Sequence, residues 1–286
     1  SASMYGYWND STFIELSLDS YTVSWDSGIA VDSTGNVWIA GLLGDSSPPT
    51  IPVYWKNSGS PSSLSGCTNM WGMAADTLGN VYFMGTTGGT NLYAASPDKG
   101  WTPAYWKNGA GGLMGPTTLQ IDVPYTYGYA AGVAVDAEGN FYTCGAQRSD
   151  TAQEPIYWKN GGTPNALSKG AYGPNALWGV IITAVDASGK LYFAGRTGEA
   201  VTNEALVYWN GADSDLATLP LGGHSYWSLP FEGGAVDAQG NFIVVCSVGS
   251  SSDTTIPVYW ENGGYYELPM GPGNTFGRAS SVAVGH

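Results

Sequence analysis

The chain has 286 residues, enough for one large all-β domain or two small ones, and its 43% of apolar residues supply a substantial core. Its formal net charge is −14, and it contains no cluster of Lys or Arg, which excludes a nucleic-acid partner and disfavours anionic membranes. Only 11% of the residues are charged and 42 are Gly, a profile that favours many short strands joined by tight turns.

The first ten residues, SASMYGYWND, lack both the basic and the apolar part of a signal peptide. No apolar run approaches the roughly 18 residues that a membrane span needs. The composition is rich in Ser, Thr, Gly, Trp and Tyr and poor in Lys, as in mature exported proteins whose leader has been removed. We therefore expect a secreted or cell-surface protein without membrane insertion.

One short motif recurs five times in the chain. Its copies are AVDSTGNVWIAG, AADTLGNVYFMG, AVDAEGNFYTCG, AVDASGKLYFAG and AVDAQGNFIVVC. Each copy predicts a hairpin of two strands, in which Asp caps a type I turn and Gly takes the left-handed position. Asp and Asn could also ligate calcium, but the spacing lacks the alternating acidic ligands of a calcium loop, so no metal is expected.

A second motif, written PVYWKN in one copy, alternates with the first. Its tryptophans, which are 47 to 52 residues apart, are Trp8, Trp55, Trp106, Trp158, Trp209 and Trp260. A period near 50 residues with about four short strands in each unit indicates a β-propeller. Because neighbouring blades cover both faces of a blade, both rings of the Tyr-Trp pair are expected in the core.

The repeats predict an all-β fold, a single six-bladed β-propeller domain over residues 1–286 with four-stranded antiparallel blades. The five full blades are predicted over residues 28–64, 72–119, 132–167, 179–219 and 232–268. The closing blade combines residues 1–16 with residues 278–286, so that N- and C-terminal strands close the ring. It lacks a counterpart of the strand NVWIAG. Either this blade is irregular, or the chain is trimmed, or another chain supplies a strand.

Three cysteines cannot all pair, and their spacing fits no metal site. Cys144 occupies a small core position of the repeat, Cys246 replaces the Gly of the repeat, and Cys67 lies in a loop. We expect structural thiols.

The five hairpins of the form VD-x-x-GN-[VF]-Y resemble the SBBP β-propeller repeat of bacterial exported proteins. More distantly, they resemble NHL repeats and virginiamycin-B-lyase-like repeats. The element YWKNG…L looks like one that recurs in surface lipoproteins of spirochaetes and Bacteroidetes. The resemblance covers nearly the whole chain and implies an exported bacterial six-bladed propeller. It implies no catalytic residue, because the matching positions are structural ones.

Function is expected where the repeats differ. Aromatic residues precede the innermost strands, and they are Trp25, Trp71, Tyr129, Trp178 and Trp227, with Phe276 before the last strand. The segments that carry them are expected to converge around one mouth of the channel. There the rings could stack on sugars or hold another flat or apolar ligand, or they could fill gaps between the blades.

The loops between second and third strands vary in length and open on the same face. They carry Lys99, Trp101, Arg148 and Arg196, and Arg beside aromatic rings can bind carboxylates or sugar hydroxyls. Solvated loop charge is the other interpretation. The least repeat-like segment, GGHSYWSLPFEGG, contains His224, Trp227 and Glu232.

We expect a non-catalytic binding module whose ligand, a glycan or another small molecule, lies at the aromatic channel mouth. The candidate binding residues are Trp25, Trp71, Trp101, Tyr129, Arg148, Trp178, Arg196, His224, Trp227 and Glu232. One alternative is a protein-interaction scaffold. A second is a lyase or hydrolase with His224 and Glu232 as an acid–base pair, although no established catalytic motif is present. We expect a monomer and no cofactor.

Overall fold

In a computed structural model, the described residues fold as β-strands and connecting segments, and none of them is helical. The structure describes residues 5–9, 12–19, 22–44, 51–89, 100–173, 177–197, 205–224, 233–251, 254–271, 273–274, 276–277, 279 and 282. Within this part of the chain, no helix has the length and apolar character needed to cross a membrane.

The structure contains 22 strands in the described residues. In chain order they are β1 (Gly6–Asn9), β2 (Thr12–Glu15), β3 (Thr22–Val31), β4 (Val37–Gly44), β5 (Ile51–Lys56), β6 (Ser62–Ser63), β7 (Asn69–Ala75), β8 (Val81–Thr87), β9 (Thr102–Gly109), β10 (Gly112–Thr118), β11 (Tyr127–Val135), β12 (Phe141–Arg148), β13 (Gln153–Lys159), β14 (Pro164–Ala166), β15 (Leu177–Val185), β16 (Leu191–Thr197), β17 (Ala205–Trp209), β18 (Leu216–Thr218), β19 (Gly233–Val236), β20 (Phe242–Ser251), β21 (Thr254–Glu261) and β22 (Gly264–Glu267).

These strands form five four-stranded sheets and one two-stranded hairpin. Each four-stranded sheet takes its strands in sequence order, β3 to β6, β7 to β10, β11 to β14, β15 to β18 and β19 to β22. A four-stranded antiparallel meander is the blade of a β-propeller, so the predicted fold class is confirmed at that level. The predicted count of six blades is wrong for the described residues, which form five blades and the separate hairpin β1–β2.

The chain divides into two compact units. The first comprises Ser1–Gln120 and Tyr127–Val133, and the second comprises Ile121–Thr126 and Ala134–His286. The first unit contains the hairpin and the first two blades. The second contains the last two blades and β12 to β14 of the third. The cores and sites described below lie within one unit each.

The repeated Asp-x-x-Gly-Asn turn is built around its carboxylate. In the first blade, Oδ1 of Asp32 accepts the backbone N–H groups of Thr34 and Asn36 at 2.9 and 3.0 Å. Oδ2 accepts Nε1–H of Trp38 at 2.8 Å. Gly35 has φ = 81°, the left-handed conformation that Gly adopts without strain. Donors from the chain itself therefore surround this carboxylate, and a cation is not needed to hold the turn.

The same contacts lower the pKa of several of these carboxyl groups. Burial by itself would raise the pKa of Asp186, but hydrogen bonds from Ser188, Tyr192 and the Lys190 backbone outweigh it and lower the pKa. The pKa of Asp136 is lowered in the same way, because its hydrogen bonds outweigh the effect of burial. The pKa of Asp237 is lowered by hydrogen bonds from the backbone and side chain of Asn241.

Each third strand places its tryptophan in the core. Five of these tryptophans are among the largest fully buried side chains, namely Trp55, Trp106, Trp158, Trp209 and Trp260. The indole N–H donates to a carbonyl that follows the previous fourth strand, as Trp106 does to Ser65 at 3.0 Å. The preceding tyrosines are half-buried, and Tyr54 packs against the core between the first and second blades. Its ring lies 5.1 Å from that of Phe83.

The cores lie between successive sheets. In the first unit, Trp38 and Ala40 of the first blade pack against Phe83 and Trp106 of the second. In the second unit, a cluster that includes Cys144, Phe193 and Trp209 joins β12 of the third blade to the fourth. A further cluster, which includes Tyr192, Phe242 and Cys246, joins the fourth blade to the fifth. Cys144 and Cys246 are thus buried core thiols, and Cys67 is half-buried.

The N-terminal hairpin β1–β2 occupies the position of third and fourth strands of a blade. The Leu16 N–H donates to the Tyr5 carbonyl at 2.8 Å, as the Leu64 N–H does to the Pro52 carbonyl at 3.0 Å. Nε1–H of Trp55 donates to the Ser17 carbonyl at 2.8 Å, the bond that Trp106 makes to Ser65. Most of residues 278–286, expected to supply the innermost strand of this blade, lie outside the described residues.

Replacing a third-strand tryptophan tests this packing. We expect Trp106→Phe to lower the free energy of unfolding by about 2–4 kcal/mol, because it leaves a cavity at a fully buried position and removes the hydrogen bond from the indole to the Ser65 carbonyl. The exposed Tyr266 provides the control, since Tyr266→Phe should change the free energy by less than about 0.5 kcal/mol. Urea denaturation followed by circular dichroism measures both, and equal effects would contradict the proposed role.

The turn carboxylates predict a loss of stability in acid. Their pKa values are lower in the folded chain than the ordinary value of about 3.9, so the unfolded chain binds more protons at acid pH. Their contribution is therefore complete above about pH 4 and is lost as the pH falls through the folded pKa values. Thermal unfolding between pH 6 and 2 should show this decline. The decline should be shallower in Asp186→Asn, and rising stability below pH 4 would disprove the assignment.

Candidate functional site

Trp71 lies at a β-bulge in the innermost strand of the second blade. In β7, Met70 pairs with Gly85 and Gly72 pairs with Met84, so that Trp71 is the extra residue. The corresponding extra residues are Ser27 in β3 and Ile181 in β15. A bulge re-aims the side chain that it carries. Because the bulge recurs but the tryptophan does not, Trp71 is an addition to the common scaffold.

Three of the predicted residues meet here, and we call Trp71, Trp101 and Tyr129 the aromatic cluster. The ring of Trp71 lies 5.5 Å from Trp101 and 5.1 Å from Tyr129, at interplanar angles of 62° and 74°. These are edge-to-face contacts, the favourable arrangement for aromatic quadrupoles. Trp101 is buried, with 4% of its surface exposed, whereas Trp71 and Tyr129 are half-buried. The cluster therefore has a fixed base and two rings that remain accessible.

Glycines enclose the buried ring of Trp101. A Cβ on Gly89 would overlap Cδ1 of Trp101, and a Cβ on Gly88 would lie 2.8 Å from the Gly100 carbonyl oxygen. All three glycines have positive φ, between 65° and 97°. Side chains larger than that of Gly are thus excluded at both ends of the segment that connects β8 to β9. In the sequence these glycines appear as the run TTGG, residues 86–89, but nothing in that run indicates a contact with Trp101.

A small polar network fixes the strand that carries Trp71. Asn69 is fully buried, and its Nδ2 donates to Oγ1 of Thr86 at 3.2 Å. Oγ1 of Thr68 lies 3.1 and 3.0 Å from the carbonyl oxygens of Thr86 and Gly88, which share its one proton as acceptors. These bonds tie the start of β7 to the end of β8, directly beside the glycines that enclose Trp101. The strand that carries Trp71 and the glycines beside Trp101 are therefore held together by hydrogen bonds.

The other predicted residues are placed elsewhere or are not described. Trp25 belongs to β3 and Trp178 to β15, but their side chains lie outside the described part, as do the whole of Lys99, Trp227 and Glu232. In the second unit, Arg148 ends β12, and its carbonyl accepts the Thr126 N–H at 2.8 Å. Arg196 lies in β16 opposite Gly179. The structure therefore groups three of the ten candidates.

His224 has a partner that the sequence did not indicate. Its Nε2 lies 3.1 Å from Oε1 of Glu267, and the Tyr265 hydroxyl donates to the same oxygen at 3.1 Å. Burial, the hydrogen bond to Glu267 and the negative charge of Glu267 raise the pKa of Tyr265 to about 12, so Tyr265 remains a donor. Glu267 is 43 residues from His224 and lies in β22, whereas His224 lies in the segment between β18 and β19. Glu232, the partner that the sequence suggested, lies outside the described residues.

A second polar group surrounds Glu154 in the second unit. Nε2 of the buried Gln147 donates to Oε2 of Glu154 at 2.7 Å, and Oε1 of Gln147 accepts the Asp122 N–H at 3.0 Å. Burial and the adjacent Glu154 carboxylate raise the pKa of Tyr125. These bonds attach the segment before β11 to β12 and β13, which indicates a structural role. In the described part of the chain, no three His, Cys, Asp or Glu residues are placed to hold a metal ion.

Comparison with known proteins defines the fold alone. No protein-family profile and no curated protein sequence matches the chain. Among solved structures, TolB from Acinetobacter baumannii superimposes with a TM-score of 0.51 at 11% identity, over 84% of this chain and 53% of TolB. This chain thus spans about half the length of TolB.

Two further structures superimpose less well. A putative gluconolactonase has a TM-score of 0.42 at 11% identity, over 86% of this chain and 76% of its own. The subtype N11 neuraminidase-like protein of the A/flat-faced bat/Peru/033/2010 virus has 0.44 at 10% identity, over 91% of this chain and 88% of its own. The blades and the likeness to TolB together define the class: the chain is a β-propeller protein.

The glycine next to Trp101 provides a test of the aromatic cluster. We expect Gly89→Ala to lower the free energy of unfolding by more than about 2 kcal/mol, because Ala is strained at φ = 65° and its Cβ displaces Trp101. Gly35→Ala is the matched control. Gly35 has φ = 81° with no heavy atom within 4 Å of the added Cβ, so only about 1–2 kcal/mol should be lost. The near-ultraviolet circular dichroism of tryptophan should change in Gly89→Ala alone, and an unchanged spectrum would contradict the geometry.

Proposed function

We propose that the chain is a non-catalytic binding module whose aromatic cluster holds a carbohydrate. The observation that supports this is the placement of Trp71 at a bulge, half-buried, with its ring fixed by edge contacts to Trp101 and Tyr129. A sugar presents an apolar C–H face and a rim of hydroxyl groups. A half-exposed indole can stack on that face while hydroxyl and amide groups at the rim remain available for hydrogen bonds.

The charge distribution favours a neutral sugar over an acidic one. Lys56 and Lys107, the cations described in the first unit, lie over the rings of Trp38 and Tyr82 at 5.0 and 5.1 Å. Those rings belong to the Asp turns, at the opposite ends of the strands from the cluster. A carboxylated ligand at the cluster would thus face a chain of net charge −14, and both described cations of this unit lie at the other ends of the strands.

Export from a bacterium and a monomeric state are part of the same proposal, and they rest on composition and on the repeat resemblance given above. A lyase or hydrolase would need a positioned acid and base. His224 is instead 30% exposed and bound to Glu267, which is 49% exposed, so this pair is solvated. The proposal therefore assigns it no catalytic step.

Removing the indole tests the proposed site. Glycans that bind are first identified on an array of neutral oligosaccharides, and the affinity is then measured by calorimetry. We expect Trp71→Ala to weaken binding about tenfold or more, because Ala offers no stacking surface. Thermal unfolding should show that the variant remains folded, since Trp71 is only half-buried.

Two variants serve as controls for this experiment. Tyr266→Ala removes an aromatic ring that is 46% exposed in the second unit, and His224→Ala removes the other candidate. Both should bind as the unchanged chain does. Undiminished binding by folded Trp71→Ala would show that the cluster only packs. Absence of any glycan at millimolar concentration, together with capture of a defined protein, would favour the scaffold alternative.

A further inference from the structure

The hairpin β1–β2 has one edge without a strand in the described residues. The Tyr5 carbonyl accepts the Leu16 N–H, so the backbone groups of Tyr5 point towards the β2 side of the hairpin. Backbone groups alternate in direction along a strand, and those of Gly6 and Trp8 in β1 therefore point away from β2. In the first blade the same edge of the third strand is paired with the second strand, as Ile39 is with Trp55.

The first blade carries an apolar face that its equivalents do not expose. Ile29 and Val31 in β3 are 52% and 60% exposed, whereas Met73, at the position of Ile29 in β7, is 9% exposed. Gly28 and Ala30 turn to the second blade, where a Cβ on Gly28 would lie 3.1 Å from Met73 and Ala30 packs with the shared core. Ile29 and Val31 therefore face the opposite side of the sheet, the side on which the hairpin packs.

The uncovered face continues an interface that is already formed. Leu16 and Tyr7 of the hairpin region pack against Ile39, Val53 and Trp55 of the first blade, which are buried. This cluster covers the outer half of the blade and stops before β3. The edge of β1 that has no partner strand among the described residues and the exposed side chains of Ile29 and Val31 thus border one gap, which we call the open slot.

The second strands in the described residues all belong to complete blades. The motif that contains NVWIAG occurs five times, and its copies form β4, β8, β12, β16 and β20, each paired on both sides within its own blade. The strand that fits the slot has this alternating apolar pattern. We propose that the open slot receives an extended strand of a partner polypeptide, added antiparallel to β1 as β4 is to β5. Its apolar side chains cover Ile29 and Val31, and its backbone satisfies the edge of β1.

The test uses a peptide with the sequence of a second strand of this chain. The probe is residues 35–41, Gly-Asn-Val-Trp-Ile-Ala-Gly, flanked by Gly-Ser pairs and labelled with fluorescein. Fluorescence anisotropy with the folded 286-residue chain should show saturable binding, with a dissociation constant on the order of ten micromolar. This experiment is independent of glycan binding, because the slot contains none of the residues of the aromatic cluster.

Two N-methylated peptides test the backbone pairing. The Pro52 carbonyl points to the fourth strand, so the backbone groups of Trp55, three residues later, point to the second strand. Ile39 is paired with Trp55, and its N–H in β4 therefore points to the third strand. Methylation of the nitrogen equivalent to Ile39 should weaken binding about tenfold or more, because it removes a hydrogen bond and adds a clash. The next N–H, that of Ala40, points to the other edge of the strand. Its methylation should therefore weaken binding less than about threefold.

Two protein variants test the apolar face. Ile29→Asn should weaken binding of the peptide about fivefold or more, because it places an unsatisfied amide under the added strand. Leu78→Asn, at a turn residue that is 77% exposed in the same unit, should leave binding unchanged. Both side chains are exposed, so both variants are expected to fold.

Each of the following results would overturn the proposal. These are absence of saturable binding, equal effects of the two methylated peptides, and equal effects of Ile29→Asn and Leu78→Asn. A doubled mass in light scattering that Ile29→Asn abolishes would show that a second copy occupies the slot. Binding that appears only after removal of residues 280–286 would show that a segment of the same chain occupies it.

Discussion

The structure depends on a bond that no blade can make alone. The third-strand tryptophan is too large to leave outside the core, and its indole N–H needs an acceptor in that apolar interior. Trp106 finds it on Ser65, Trp209 on Ser168 and Trp260 on Pro220, at 2.7 to 3.0 Å. Each acceptor follows the fourth strand of the preceding repeat, so a blade is complete only when its neighbour is in place. The hairpin β1–β2 meets the same need, because Ser17 accepts from Trp55.

This requirement separates scaffold from site. Positions that serve the turn or the packing between blades recur along the chain because every blade needs them. Trp71 occupies a bulge that also recurs, but other blades have Ser27 and Ile181 there. The common backbone thus offers a position at which a side chain is re-aimed without disturbing the pairing on either side. A binding residue can change there at little cost to the fold, which makes the aromatic cluster a reasonable place for specificity.

The sequence predicted the repeated parts of the fold well, because the determinants are local. Asp and Gly fix a turn within five residues, and the capping bonds to Asp32 confirm that interpretation. The predicted closing blade is present only in part in the described residues. Half-repeats at the two ends suggested a sixth blade, but the described residues supply only two of its strands. The degree of burial of Tyr54 depends on how far the next blade overlaps the ring, and a local pattern does not specify it.

The sequence by itself determined the class of fold, the five hairpins and the tryptophans of the core, since each follows from a short pattern and the period of its recurrence. Only the tertiary structure decided which exceptional residues meet. Trp71, Trp101 and Tyr129 come from three separate segments, and His224 pairs with Glu267 rather than with a neighbour in sequence. The physical reason is that such contacts depend on loop paths and on the overlap of different repeats. No periodicity records either of these, because both arise where the repeats differ.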